Sequence, residues 1–205
     1  MILLLACTEP ALEDTEVVNT QDSSDSSDTS DSEDTGSGPF RDILLVTAFH
    51  GSMSDEHQAL KQQAAEILAT LGDSDRLGLI TDGADGCSQA GILTFQDDPS
   101  FLSGAFNVQE GPLSQDLLEA TARAYSQTEA GCNVGLAREG SIRVVVLISD
   151  TSGTGNDLSE ITPFSPTVSL LGSDCSGAYG DAVQSTGGTA TCPWQVSDLL
   201  ALLGD

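Results

Sequence analysis

The chain has very little positive charge. It carries 6 Lys and Arg against 32 Asp and Glu, for a net charge of −26 over 205 residues. Nucleic acid and anionic membrane surfaces both require a basic patch, so the sequence excludes them as direct partners. Histidine is scarce too, with only His50 and His57. None of the five cysteines forms a C-x-x-C pair, which argues against a structural zinc site. Aromatics make up only 4% of the chain. The core must therefore be built from Leu, Ile, Val and Ala. There is no Walker-type phosphate loop, no Gly-x-Gly-x-x-Gly after a strand and no paired-carboxylate pattern.

The acids are unevenly spread. Ten fall between Thr8 and Pro39, with no base among them. The other 22 acids against 6 bases leave about −16 on the rest, which is acidic in its own right. Residues 8–39 include Q-D-S-S-D-S-S-D-T-S-D-S-E-D-T-G-S-G. After Val18 nothing there can offset ordering entropy, so the segment is expected to be disordered. Such a chain spans roughly 30 Å, more under self-repulsion. Aspartate at every third position would collect calcium weakly; a solvated tether is the preferred reading.

Residues 1–7 read M-I-L-L-L-A-C. Leu4-Leu5-Ala6-Cys7 resembles the lipobox of bacterial lipoproteins, where the cysteine after the cleavage site is lipidated. Six residues supply neither a positive n-region nor a full apolar stretch. A start upstream of Met1 is therefore expected. The resemblance implies Cys7 as the lipidation site, an outer membrane of the bacterial cell envelope as location, and membrane contact only through the anchor. With Cys7 set aside, Cys87, Cys132, Cys175 and Cys192 form an even set that fits two disulfides in an oxidising compartment.

From residue 40 to 205 the chain is long enough for one domain with its own core. It is organised around Arg41–Glu56: an apolar run over Ile43–Val46, a turn through His50-Gly51-Ser52, and a helix opening at Ser54-Asp55-Glu56. Ser54 reads as a hydroxyl cap with acids in the first turn. The pattern predicts strands over Ile43–Ala48, Arg76–Thr81, Ile92–Phe95, Ile142–Ile148, Thr167–Leu171 and Thr189–Thr191. It predicts helices over Ser54–Leu71 (stopped by Gly72), after Gly111-Pro112, over Asn133–Arg138, Tyr179–Ser185 and Ser197–Leu203, with loop or broken helix over Asp97–Gly111. Alternation at these lengths gives an α/β fold: a doubly wound, mostly parallel sheet with helices on both faces. Ligands of such folds bind where the strands end, at the topological switch point.

These residues resemble a von Willebrand factor type A domain of the secreted bacterial type. The first family loop, Asp-x-Ser-Gly-Ser-Met-Ser-Asp, aligns with Ala48-Phe49-His50-Gly51-Ser52-Met53-Ser54-Asp55. The second aligns with Gly131-Cys132-Asn133-Val134-Gly135, and the third with Ser149-Asp150-Thr151. The family holds a magnesium-like ion through two aspartates, two serines and a threonine, an all-oxygen shell suited to a hard cation. Of those ligands only Ser52 and Asp150 are kept, as vestigial candidates. Ala48, His50 and Cys132 replace the others. The resemblance thus implies a protein-binding or adhesion module with no cofactor and no working metal site. Its degenerate ligand loop is His50, Ser52 and Asp150, and its partner is an unidentified protein. The alternative is a metal-dependent adhesion domain in which those three residues bind Mg or another divalent cation. The fold also implies the pairings Cys87–Cys132 and Cys175–Cys192, each joining loops on one edge of the sheet.

A hydrolase is the third reading. Gly86-Cys87-Ser88-Gln89-Ala90 faintly resembles the nucleophile elbow of cutinase-like enzymes. That fold needs a histidine after the serine and the acid, and none follows His57. The chain is therefore expected not to be an enzyme.

Overall fold

The computed structural model describes residues 40–48, 51–81, 102–104, 106, 116–126, 138–153 and 158–205. All lie within one compact unit, Gly36–Asp205. The expected strand at Ile92–Phe95, the helix at Asn133–Arg138 up to its last residue, and residues 1–39 lie outside the described residues.

Among the described residues, five strands form a parallel sheet: β1 (Arg41–Thr47), β2 (Arg76–Thr81), β3 (Ile142–Ser149), β4 (Thr167–Gly172) and β5 (Ala190–Thr191), in the order β2-β1-β3-β4-β5. The strands read as apolar runs because both faces are covered. In β1, every residue from Asp42 to Thr47 is buried. In β3, the last five residues, Val145–Ser149, are buried.

The chain leaves β1 toward β2, returns past β1 to β3, and then proceeds outward through β4 and β5. Right-handed crossovers turn that reversal into helices on both faces. Helices α1 (Ser54–Gln62) and α2 (Ala64–Ala69) join β1 to β2, and the final helix α6 (Val196–Gly204) packs against them. Helix α3 (Leu117–Ser126) packs with α4 (Leu158–Ile161) and lies over β1 and β2. Helix α5 (Gly177–Thr186) lies against β4. Tyr125 of α3 stacks on Phe164, ring centroids 5.1 Å apart, and burial holds its phenol well above the ordinary value of 10.0. The doubly wound α/β fold expected from the alternating pattern is therefore present.

Three local expectations are corrected. The helix expected over Ser54–Leu71 is broken at Gln63, whose backbone (φ −97°, ψ 8°) leaves the α region. Its stop is also different. Thr70 caps α2 in the αR region, and Gly72 donates its amide to Asp75 Oδ2 rather than forming a left-handed cap. Ser54 is not the cap either. A 3-10 turn over Gly51–Met53 precedes α1, so Met53 takes the cap position and Ser54 is already helical. Met53 is fully buried, and its apolar side chain fixes the turn where a hydroxyl was expected to.

The edge where strands begin holds most of the positive charge. Four of the six bases, Arg41, Arg76, Arg138 and Arg143, stand at or just before the starts of β1, β2 and β3. Arg41 pairs with Asp75 and also donates to the Leu203 carbonyl at the end of α6, 2.7 Å away. Arg138 pairs with Asp42 (2.8 Å), donates its amide to the same carboxylate (2.6 Å), and stacks over the Phe40 ring at 4.5 Å. Asp42 is 2% exposed, so its charge is tolerated only because these donors surround it. Burial opposes ionisation of Asp75. The Arg41 guanidinium and the amides of Gly72 and Arg41 outweigh it and hold the Asp75 pKa below the ordinary 3.8.

Candidate functional site

The opposite edge, where the strands end, contains the switch point. Strands β1 and β3 are adjacent and parallel, with Thr47 in register with Ile148. Their segments then part in opposite directions, toward β2 and β4. The crevice between two such segments is where an open α/β sheet binds ligands.

Three features shape the β1 side. Thr47 is buried, and its hydroxyl lies 3.1 Å from His57 Nε2 on α1. Ala48 is 3% exposed, and its amide donates to the Ile148 carbonyl (3.0 Å), extending the ladder one residue past the strand. The turn at Gly51–Met53 then buries Met53 and leaves Ser52 exposed.

On the β3 side, the Ser149 hydroxyl accepts the Thr151 amide (3.1 Å) and lies 3.1 Å from the Thr151 hydroxyl. Ser173, just beyond β4, donates its hydroxyl to the Asp150 carbonyl (2.6 Å) and its amide to the Ser149 carbonyl (3.3 Å). This close seating depends on Gly172, where a Cβ would come within 2.7 Å of the Ser149 carbonyl. The Asp150 side chain is half-buried at this edge.

Farther along, Cys175 and Cys192 are joined by a disulfide, with Cα atoms 5.8 Å apart, as expected. It links the segments that follow β4 and β5. Between them Asp174 Oδ1 accepts the Ser176 amide (2.9 Å), which lowers the Asp174 pKa. Ser52 and Asp150 thus follow the ends of neighbouring strands at one edge. His50, Ser88, Cys7, Cys87 and Cys132 lie outside the described residues.

His57 is a buried residue of this region that the motif comparison does not point to. It shares a stripe with Leu60, Ala64 and Ile67, spaced three, seven and ten residues along the helical run, all buried. That periodicity was the signal for an inward-facing ring. The ion pairs at the strand-start edge left no such local trace.

The order and direction of the strands define a doubly wound α/β domain with its topological switch point between β1 and β3. The fold is that of the von Willebrand factor type A domain. It is similar to the structure of a von Willebrand factor type A protein from Catenulispora acidiphila, with a TM-score of 0.56 and 15% identity; the match covers 82% of this chain and 42% of that one. It is similar to proximal thread matrix protein 1 from the mussel byssus, with a TM-score of 0.54 and 14% identity, over 82% of this chain and 48% of that one. It is also similar to the human COPII-coat protein Sec24c, with a TM-score of 0.54 and 12% identity, over 81% and 32%. The chain spans less than half the length of each of these proteins. No protein-family model matches the sequence, and no curated protein sequence does.

The described residues supply only part of the oxygen shell of the A-domain ion. Ala48 places a buried methyl group where the first aspartate would supply a charged oxygen. A hard divalent cation needs about six oxygen ligands. Among the family positions described here, only Ser52 and Asp150 offer a side-chain oxygen.

Proposed function

We propose that this domain is a non-enzymatic protein-binding module that works without the ion of A domains. Its binding surface is the strand-end edge around Ser52 and Asp150; the sequence adds His50 as a third binding residue. The partner is a protein that docks directly on this edge rather than through a carboxylate on a metal. The domain is held to the bacterial outer membrane by lipid on Cys7 and the acidic segment 8–39. The carrying observation is Ala48: its side chain is buried and apolar, and its amide is committed to the Ile148 carbonyl. The Cys175–Cys192 bridge supports an oxidising compartment.

The test is site-specific photo-crosslinking in the native envelope. A photoreactive residue at position 52 is expected to give a discrete adduct. The same residue at Glu139, exposed at the strand-start edge, is expected to give none. Adducts at 139 without adducts at 52 would place binding elsewhere. A thermal scan addresses the metal. A ligand at 100 times its Kd raises stability by about 2.7 kcal/mol. Millimolar magnesium or manganese is expected to leave Tm unchanged, and a dose-dependent rise would favour the metal-dependent alternative.

A further inference from the structure

We propose that Tyr179 is a latch that ties the loop carrying Asp150 to the first turn of α3 and so positions the binding edge. The significance of that edge rests on the proposed binding role, but the latch itself is testable without any partner. Tyr179 is the third residue of α5 and is 3% exposed. Its amide donates to the Ser152 carbonyl at 3.2 Å. Its phenol oxygen accepts the Leu117 amide at 3.1 Å. Its ring fills the space beside Gly153, where an added Cβ would come within 2.5 Å of Cε1. Gly153 also sits at φ +73°, a left-handed backbone that glycine adopts without strain.

One residue therefore ties two elements to its own helix: its side chain meets α3 and Gly153, and its amide holds the Ser152 carbonyl. Leu117 is the first residue of α3, and first-turn amides have no carbonyl within their own helix. The phenol satisfies that amide in a buried setting, where leaving it unpaired is costly. The other end of the loop is already fixed, because Ser173 holds the Ser149 and Asp150 carbonyls and Ser149 holds the Thr151 amide. Tyr179 closes the remaining side. A movement of the α3 N-terminus is thereby carried to the residues beside Asp150.

Tyr179→Phe keeps the ring beside Gly153 and the amide bond to Ser152 but removes the acceptor for Leu117. The measurement is native-state hydrogen exchange resolved to single amides. A net hydrogen bond of about 1 kcal/mol corresponds to a factor of about five. The Leu117 amide is expected to exchange about fivefold faster, and those of Thr151 and Tyr179 are expected to accelerate with it. Amides of β1 from Leu44 to Val46 are expected to stay unchanged. Coupling between two sites is reciprocal. Gly153→Ala, which displaces the ring, is therefore expected to accelerate the Leu117 amide.

Acceleration at Leu117 alone would show a helix cap without a latch and would overturn the proposal. Uniform acceleration of every protected amide would overturn it as well, because it reports global stability. If Gly153→Ala does not fold, the pattern in Tyr179→Phe decides. Absence of a crosslink at position 52 would sink the binding role and leave the exchange result standing.

Discussion

At the edge where the strands begin, arginine side chains reach across elements to buried or half-buried carboxylates and to a helix carbonyl. At the edge where they end, the described residues include no Lys or Arg. There hydroxyls, backbone amides and one disulfide hold the loops. The first arrangement uses pairs that are expensive to break singly, because each leaves a buried charge behind. The second uses many small neutral contacts and a covalent bond, and it leaves polar side chains on display. A surface meant to bind gains from the second kind.

The largest expected effect lies at the strand-start edge. Arg138→Gln leaves the buried Asp42 carboxylate without its guanidinium and is expected to cost about 4 kcal/mol, read by urea denaturation. A loss below about 1 kcal/mol would mean that this edge is no more demanding than the other. Second, Cys175→Ser with Cys192→Ser opens a loop with a sequence separation of 17 and is expected to cost about 3 kcal/mol in the chain-entropy model. Reducing agent should reproduce the loss in the wild-type chain and do nothing further to the double variant.

Third, Arg41→Gln is expected to cost about 2 kcal/mol, since it removes hydrogen bonds to a charged group. It also changes the pH response. The Asp75 pKa is lowered in the fold, so its contribution is present above the ordinary 3.8 and is lost as pH falls below that value. The wild type should lose stability on acidification through that window, and the Arg41→Gln variant should lose less. Equal slopes would show that the pair does not set acid sensitivity.

The smallest effect is expected at the strand-end edge. Thr47→Val keeps the shape and removes the hydroxyl beside His57, for about 1 kcal/mol by denaturation. A loss as large as that of Arg138→Gln would erase the contrast between the edges.

Much of this fold was legible in the sequence. The bounds of β2 match the expected Arg76–Thr81, and those of β1, β3 and β4 differ by only a residue or two. Buried parallel strands announce themselves as dense Ile, Val and Leu runs. The disulfide Cys175–Cys192 followed from placing both cysteines after neighbouring strands. The break at Gln63 was not legible, because Gln is a good helix former and the apolar stripe continues across it. The Arg138–Asp42 pair was not legible either. The two residues lie 96 positions apart, and a charge at the start of a strand looks like an ordinary polar flank. The role of Ala48 was half legible. Its identity showed that an aspartate was missing, but only the structure shows that it is buried and that its amide bonds to the Ile148 carbonyl.

The position of β1 has a mechanical consequence. It lies between β2 and β3, parallel to both, and the chain enters it through Phe40 and the clamped Arg41. A pull on the chain ahead of Phe40, resisted at the far end of the sheet, runs along the strand axis. The ladders on both sides would then be loaded in shear, all at once, rather than unzipped one rung at a time from an exposed margin. The strand that leads into the proposed binding edge is thus an interior one, flanked on both sides and able to carry tension.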